Sequence, residues 1–154
     1  MKKKILVISV GRSDYDRYLP IIDGLQKSKK INLSLFLTSA HYNKKLGYTA
    51  NFVSKKFKII KNNKRTNFKD EMNTDFSEDL KFLSSKIKKN KPDIMIVLGD
   101  RYEMLVGPIA AAPYNIPVVH FYGGAVTEGA IDELVRHAIT KMSHLHFVIL
   151  EDYR

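Results

Sequence analysis

Short apolar runs alternate with helical patterns along this chain of 154 residues. Apolar runs of strand length stand at residues 5–10, 31–38, 57–60, 94–98, 117–121 and 145–150. Helical spacing of apolar residues predicts helices over about 16–28, 76–90, 104–112 and 130–142. Because strands that alternate with helices form a parallel sheet covered on both faces, the pattern predicts one α/β domain.

Three stretches depart from this alternation. Residues 41–55 are irregular and predict partial helix with a break at Gly47, and residues 61–73 are polar without periodicity and predict a loop. Pro108 stands inside the apolar stretch 104–112, where proline either kinks a helix or delays its start.

Composition narrows the class of protein. With 44% hydrophobic residues the chain is globular, and with no cysteine it excludes disulfides and cysteine-ligated zinc. The apolar run 5–10 follows three lysines but is too short for a signal peptide, and no run approaches the length of a membrane span. These features fit a cytoplasmic protein that makes no membrane contact.

The net charge of +10 has two interpretations. A basic protein can bind an anionic partner such as nucleic acid, a membrane or a nucleotide. The lysines, however, are scattered in runs such as 27–30 and 86–91 without interleaved arginine and aromatic residues. The pattern therefore favours a solvated surface over nucleic-acid binding.

Polar clusters follow three of the predicted strands, at residues 11–15, 99–103 and 122–132. In open parallel sheets, ligands bind beyond the carboxyl ends of the strands. All three clusters lie at that edge, so they are expected to converge on one cleft.

The first cluster contains Arg12 and Asp14 at a strand-to-helix turn. A helix N-terminus with an arginine can bind phosphate, whereas the alternative is that Asp14 caps the helix and Arg12 is solvated. The glycines of a dinucleotide-binding fingerprint are missing, so a standard NAD site is not expected.

The other two clusters contain carboxylates. Asp100 could accept a proton or form a hydrogen bond with a sugar hydroxyl, or it could cap the following helix. Asp132 and Arg136 share a helical face, as do Glu133 and His137. Asp132 and Arg136 could form a solvated ion pair. Alternatively, Asp132 could transfer a proton while the guanidinium of Arg136 keeps it ionised and also binds a phosphate.

Glycines and histidines complete the candidate set. Gly123 and Gly124 predict a flexible or tightly turned loop after the strand that His120 ends. His144 and His146 share one strand face, but no third ligand of matching spacing accompanies them, so hydrogen-bonded histidines are favoured over a metal pair.

Several of these segments carry a family resemblance. Residues 99–104, 127–133 and 136–147 closely resemble the hydrolysing UDP-N-acetylglucosamine 2-epimerases, and residues 12–15 and 47–49 look like early motifs of the same family. The resemblance runs along nearly the whole chain. It implies a Rossmann-like, three-layer domain that forms one half of a two-domain fold like that of B-type glycosyltransferases, with the UDP-sugar bound between the halves.

The resemblance also implies a reaction. Loss of UDP with removal of the C2 proton gives a glycal, whose hydration yields N-acetylmannosamine or a related diamino sugar for sialic or legionaminic acid synthesis. No cofactor or metal is implied. Arg12 and Asp14 would lie at the diphosphate end, Asp100 and Asp132 would be acid/base candidates, and Arg136 would orient Asp132 or stabilise the departing diphosphate. Substrate-binding positions would include the two glycines and three histidines already named: Gly123, Gly124, His120, His144 and His146.

This sequence departs from the family in two ways. Where the family commonly places a glutamate after His120, this chain has Tyr122 and Ala125, and whether Glu128 takes over as a catalytic residue stays open. The chain also stops where a second, UDP-binding domain would follow, so residues 1–154 are expected to be an N-terminal half that is inactive alone and forms a homo-oligomer. Alternatives are a non-catalytic half-site partner and the acceptor domain of a glycosyltransferase.

Overall fold

A computed structural model describes residues 1–61 and 72–153 of the chain. The strands are β1 (Lys3–Ser9), β2 (Ile31–Leu37), β3 (Lys58–Ile60), β4 (Ile94–Leu98), β5 (Val118–Phe121) and β6 (Leu145–Phe147). The α-helices are α1 (Arg12–Lys27), α2 (Met72–Lys89), α3 (Val106–Ala111) and α4 (Ile131–Met142). Short 3-10 turns occupy much of the stretch between β2 and β3, and Gly47 ends one of them with a φ of +83°.

The strands form one parallel sheet in the order β3-β2-β1-β4-β5-β6. Strands β2 and β3 lie on one side of β1, and strands β4, β5 and β6 lie on its other side, so the direction in which strands are added reverses after β3. The crevice at such a reversal, beyond the carboxyl ends of the strands, is where ligands bind in open α/β sheets. The predicted parallel α/β architecture is confirmed.

Two apolar layers cover the sheet. Helices α2, α3 and α4 pack on one face around Leu6, Ile8, Met95, Val97 and Val118. Helix α1 and the segment before β3 pack on the other face around Val7, Leu35 and Leu98. Within the described ranges, no helix is long and apolar enough to cross a membrane.

Helix α1 begins at Arg12, four residues earlier than the sequence pattern predicts. Gly11 is the N-cap, and the Asp14 carboxylate accepts the backbone N–H groups of Val10 and Gly11 at 2.8 Å each. A carboxylate in the first helical turn that reaches back in this way closes the turn. The polar residues after β1 therefore belong to the helix and not to a loop.

Other boundaries also differ from expectation. Strand β6 ends at Phe147 and not at residue 150, because its neighbour β5 ends at Phe121, the residue paired with Phe147. Helix α2 begins at Met72, so the last two positions of the predicted loop 61–73 are helical, and residues 62–71 lie outside the described part of the chain. Pro108 delays a helix as predicted: a 3-10 turn comes first, and Pro108 falls in the first turn of α3, where its missing N–H costs nothing.

Candidate active site

Arg136 joins three parts of the carboxyl edge. Its side chain is 3% exposed, although it lies in the middle of α4. One terminal nitrogen, Nη2, donates to the carboxylate of Asp100 and to Thr127 Oγ1 at 2.7 Å. The other, Nη1, donates to the carbonyl of Ala125 and to Glu133 Oε2 at 2.6 Å. The guanidinium therefore holds the loop after β5 against the loop after β4.

Asp100 lies directly after β4 with a side chain that is 31% exposed. Its Oδ2 is held by Arg136, while Oδ1 makes no hydrogen bond with the described residues. The alternative role as a helix cap does not apply, because Arg101 is the N-cap of the following 3-10 turn. The structure thus presents one free carboxylate oxygen of Asp100 at the edge of the sheet.

The carboxylates around Arg136 differ from the expected pair. Asp132 makes no hydrogen bond or ion pair within the described part of the chain, so the expected Asp132–Arg136 contact is not formed. Glu133 takes that place: it also accepts the N–H of Thr127 at 2.7 Å and pairs with His137 at 2.9 Å, as its spacing predicts. The Thr127 hydrogen bond is the main reason that the pKa of Glu133 is lowered.

His120, the third residue of β5, is completely buried. Its Nε2 lies 2.8 Å from the carbonyl oxygen of Gly99, and its Nδ1 lies 3.2 Å from Thr140 Oγ1 on α4. Burial lowers the pKa of His120, which favours the neutral ring. Both ring nitrogens are engaged by protein groups.

The Gly123–Gly124 turn is tight. Gly124 has a φ of +82°, and a Cβ there would collide with the carbonyl of Tyr153. The turn lines a cleft of about 620 Å³ with His144, His146 and Phe147. His146 faces His120 edge-on at 6.3 Å between ring centroids. His144 lies away from Asp100: its Nδ1 accepts the N–H of Val118, the first residue of β5, at the amino end of the strand.

Arg12 lines a second, smaller cleft of about 190 Å³. Its side chain is 60% exposed, approaches Asp16 at 3.4 Å and stacks over the ring of Phe52 at 4.7 Å. Arg101 lines the same cleft, beside the first turn of α1. Two guanidinium groups next to a helix N-terminus form a surface suited to an anionic group.

Asp14 points inward and not into that cleft. Ser9 Oγ donates to its carboxylate at 2.9 Å and also lies 2.9 Å from His41 Nε2, while His41 Nδ1 lies 2.9 Å from Thr49 Oγ1. Burial raises the pKa of Asp14 and lowers that of His41 to about 4. The neutral ring thus ties the segment before β3 to the end of β1.

The three clusters meet in pairs at the carboxyl edge, but not in the single cleft that the sequence predicts, because the clefts beside Arg12 and beside Gly123 are lined by different residues. Arg12 and Arg101 share a cleft, and Asp100 and Arg136 join the next two clusters. Glu128 is exposed and contacts none of the described residues through a hydrogen bond or ion pair. No group of three metal-ligating side chains occurs within residues 1–61 and 72–153.

Sequence reasoning missed Thr127, Thr140 and Arg101 as parts of the site, and it noted Glu133 only as a partner of His137. Helical spacing could have identified two of these residues. Glu133 and Thr140 lie three and four residues from Arg136, so all three share one face of α4. Thr127 and Arg101 lie in irregular segments, where spacing along the chain carries no such information.

A sequence model of the UDP-N-acetylglucosamine 2-epimerase family matches residues 23–154. The fold, the carboxyl-edge site and this match together define the class, and the chain belongs to the UDP-N-acetylglucosamine 2-epimerase family.

Similar proteins include two hydrolysing 2-epimerases of diacetylbacillosamine nucleotides. The chain is 36% identical to the GDP/UDP-N,N'-diacetylbacillosamine 2-epimerase of Campylobacter jejuni over 99% of its own length and 41% of that protein. It is also 36% identical to the UDP-N,N'-diacetylbacillosamine 2-epimerase of Legionella pneumophila, again over 41% of that protein. The chain therefore spans about two fifths of the length of these relatives.

Solved structures show the same fold. The UDP-N-acetylglucosamine 2-epimerase of Neisseria meningitidis bound to UDP-N-acetylglucosamine superposes with a TM-score of 0.80 at 23% identity, over 97% of this chain and 41% of that one. MurG of Acinetobacter baumannii superposes with a TM-score of 0.62 at 16% identity, over 95% of this chain and 40% of that one.

Proposed function

We propose that this chain is the N-terminal domain of a hydrolysing UDP-sugar 2-epimerase and supplies the groups that act on the sugar. The observation that carries the proposal is Asp100 at the carboxyl edge, whose Oδ1 makes no hydrogen bond with the described residues while the buried Arg136 holds Oδ2. When one oxygen of a carboxylate is held in place, the other oxygen can accept a proton from a ligand or a hydrogen bond from a ligand hydroxyl. Nothing in this arrangement requires a cofactor.

In the proposed reaction a carboxylate removes the C2 proton and the C1–O bond to the diphosphate breaks. The electrons of the C2–H bond form the C1–C2 double bond, and UDP leaves with the electron pair of the C1–O bond. Addition of water to the glycal then gives the 2-epimeric amino sugar. Asp100 and Asp132 both remain candidates for the base, since both lie at the carboxyl edge.

The diphosphate would lie toward the cleft lined by Arg12 and Arg101. Those side chains can donate paired hydrogen bonds to phosphate oxygens, and the first turn of α1 adds unpaired backbone N–H groups. The more apolar cleft beside Gly123, Gly124 and His146 is a second candidate surface for the sugar.

The remaining three fifths of the relatives' length would supply the rest of the UDP site. The names of the Campylobacter and Legionella relatives make a UDP-linked diacetamido sugar the first substrate to test, and UDP-N-acetylglucosamine the second. The products of such enzymes feed the synthesis of sialic and legionaminic acids, and an Escherichia coli relative that is 33% identical is a polysialic acid biosynthesis protein. We propose a cytoplasmic homo-oligomer as the working form.

The proposal is tested by measuring UDP release from both UDP-sugars, with the chain alone and after adding the remaining portion of the Campylobacter relative. Turnover is expected on addition and should fall by about a thousandfold in Asp100→Asn, a loss typical for removal of an acid/base or charge-stabilising group. The matched control is Asp93→Asn, at the amino end of β4, where the carboxylate accepts the N–H of Lys4 at 2.7 Å.

A second candidate is a non-catalytic half-site partner. Tyr122 and Ala125 have no carboxylate at the positions where the family commonly has one, and Ala125 contributes its carbonyl to Arg136. Association of the two portions without UDP release from either sugar would favour this candidate and contradict the epimerase proposal.

A further inference from the structure

The hydrogen bonds of His120 determine where its ring proton lies. The carbonyl of Gly99, 2.8 Å from Nε2, can only accept, so Nε2 carries a proton. The ring is fully buried, and burial lowers its pKa and so favours the neutral ring, in which Nδ1 carries no proton once Nε2 has one. The hydroxyl of Thr140 must then donate to Nδ1. With both nitrogens engaged, the ring has none left for a ligand.

The accepting carbonyl belongs to the peptide link between Gly99 and Asp100. Gly99 has a φ of +75°, a left-handed conformation that side chains rarely adopt, and its N–H donates to the carbonyl of Phe121 at 2.8 Å. Fixing this peptide plane fixes the position of the Asp100 Cα and so restricts where the Asp100 carboxylate can lie. His120 therefore acts on the site through the backbone that precedes Asp100.

Arg136 and Thr140 are four residues apart on α4 and so project from the same face. Arg136 holds the carboxylate of Asp100. Thr140 contacts the ring of His120, which in turn binds the carbonyl of the Gly99–Asp100 peptide. The Gly123 backbone packs over the contact between His120 and Thr140. A Cβ at Gly123 would lie 3.0 Å from His120 Nδ1 and 3.2 Å from Thr140 Oγ1. Asp100 is thus held at two points from one helix.

We propose that Thr140 and His120 are positioning residues for Asp100, with the Thr140 hydroxyl fixing the ring so that its Nε2–H orients the Gly99–Asp100 peptide. The inference rests on the proposed function only in giving Asp100 a catalytic role. The hydrogen-bond chain itself is a property of the described domain.

The first test needs no turnover. In the ¹⁵N-labelled 154-residue chain at neutral pH, NMR of the imidazole nitrogens is expected to show His120 protonated at Nε2 alone. Thr140→Val should shift the Nδ1 resonance and the carboxyl-carbon resonance of Asp100, while Thr140→Ser should restore both. A charged ring, a proton on Nδ1, or an unmoved Asp100 resonance in Thr140→Val overturns the proposal.

Thr38→Val is the matched control. Thr38 is a buried threonine whose Oγ1 makes no hydrogen bond with the described residues, so the same chemical change there should leave Asp100 unmoved. In the reconstituted enzyme, Thr140→Val should lower kcat about tenfold with KM nearly unchanged, as expected from misplacing a reacting group by a fraction of an ångström.

The two proposals can fail separately. A kcat of Thr140→Val equal to that of Thr38→Val would refute positioning while leaving the epimerase proposal intact. NMR shifts as expected, with no UDP release from the wild-type reconstituted enzyme, would refute the epimerase proposal and leave the hydrogen-bond chain established.

Discussion

His41 illustrates how a single buried residue connects separate segments of this chain. Its ring links Ser9 at the end of β1 to Thr49 in the segment before β3, and Ser9 continues the contact to Asp14 in α1. The ring is fully buried, and burial lowers the pKa of His41 to about 4. Because burial disfavours the charged ring, the network forms with neutral His41.

We therefore expect acid to destabilise the protein through His41. The unfolded chain binds a proton at His41 below about pH 6.5, whereas the folded protein does so only below about pH 4. Unfolding takes up a proton between these values, so the free energy of unfolding falls as pH decreases through this window, by roughly 3 kcal/mol from this group. Urea denaturation of wild type and His41→Gln across pH 7 to 4 measures the effect.

The free energy of unfolding changes with pH in both the wild type and His41→Gln, and the difference between these two pH dependences is the contribution of His41. Asp14, whose pKa is raised, changes stability with pH in the opposite sense, and His120 changes it in the same sense, but both are present in the wild type and in the variant. Parallel pH profiles for the two proteins would contradict the prediction.

At this scale the sequence predicted which residues lie at the carboxyl edge better than it predicted what they contact. Asp100 and Arg136 were both expected in the site, yet the helical spacing that pairs Asp132 with Arg136 was misleading. Spacing identifies residues that share a helix face, but Asp100 reaches Arg136 across 36 positions of sequence, and only the packing of α4 on the sheet brings them together.

Helix α3 packs on the sheet at Gly107, where there is no room for a side chain. A Cβ at Gly107 would lie 2.9 Å from Val97 Cγ1, 3.0 Å from Ile8 Cγ1 and 3.2 Å from Met95 Sδ. These side chains belong to two central strands and are fully buried, so they have little room to move. The absence of a side chain at Gly107 sets the distance between helix and sheet.

Gly107→Ala is expected to destabilise the protein by about 1–3 kcal/mol through this overpacking. Gly24→Ala is the matched control: Gly24 lies on the exposed side of α1, where a Cβ meets nothing within 4 Å, and alanine there should stabilise by up to about 1 kcal/mol. Chemical denaturation of both variants measures the difference. Equal effects of the same sign would contradict the role given to Gly107.

Elements of strong periodicity were predicted well from the sequence. Strand β4 agrees at both ends, and the spacing of Phe76, Leu80, Leu83 and Ile87 predicted α2, although this helix begins four residues earlier, at Met72. The start of α1 was missed because Arg12, Asp14 and Asp16 interrupt the apolar pattern. The helix begins there through backbone capping by Asp14, which hydrophobic periodicity does not report.

The two edges of the sheet differ in character. Edge strand β3 begins at Lys58 and is followed by Lys61, so it has charged side chains of the kind that discourage strand addition. Edge strand β6 has no Lys, Arg, Asp or Glu, and Leu145, Phe147 and Ile149 are each about half exposed. The β6 edge thus combines exposed apolar side chains with an edge strand that carries no charge.

The isolated chain is expected to self-associate through the β6 side as its concentration rises. Leu145→Lys, which places a charge in the edge strand, should reduce the association measured by light scattering. Leu134→Lys is the control, because Leu134 is 73% exposed but lies on α4. An equal reduction in both variants would show that general apolar exposure, and not the β6 edge, causes association.

For the whole molecule, alternation of strands and helices was enough to predict a parallel sheet and to place the site at its carboxyl edge. The order of the strands was not predictable in the same way. Nothing in the local pattern states that β1 pairs with both β2 and β4, because that choice depends on which apolar faces the helices cover once they are packed.

That central position of β1 also affects how the protein acquires its site. Residues Ile5 and Ile94 are paired neighbours although nearly ninety positions separate them, and parallel pairing across so long a loop is slow to form. During synthesis, β1 keeps an unsatisfied edge until β4 has been made. Arg136 is made later still, 36 positions after Asp100, so the geometry of the candidate site is completed late in synthesis.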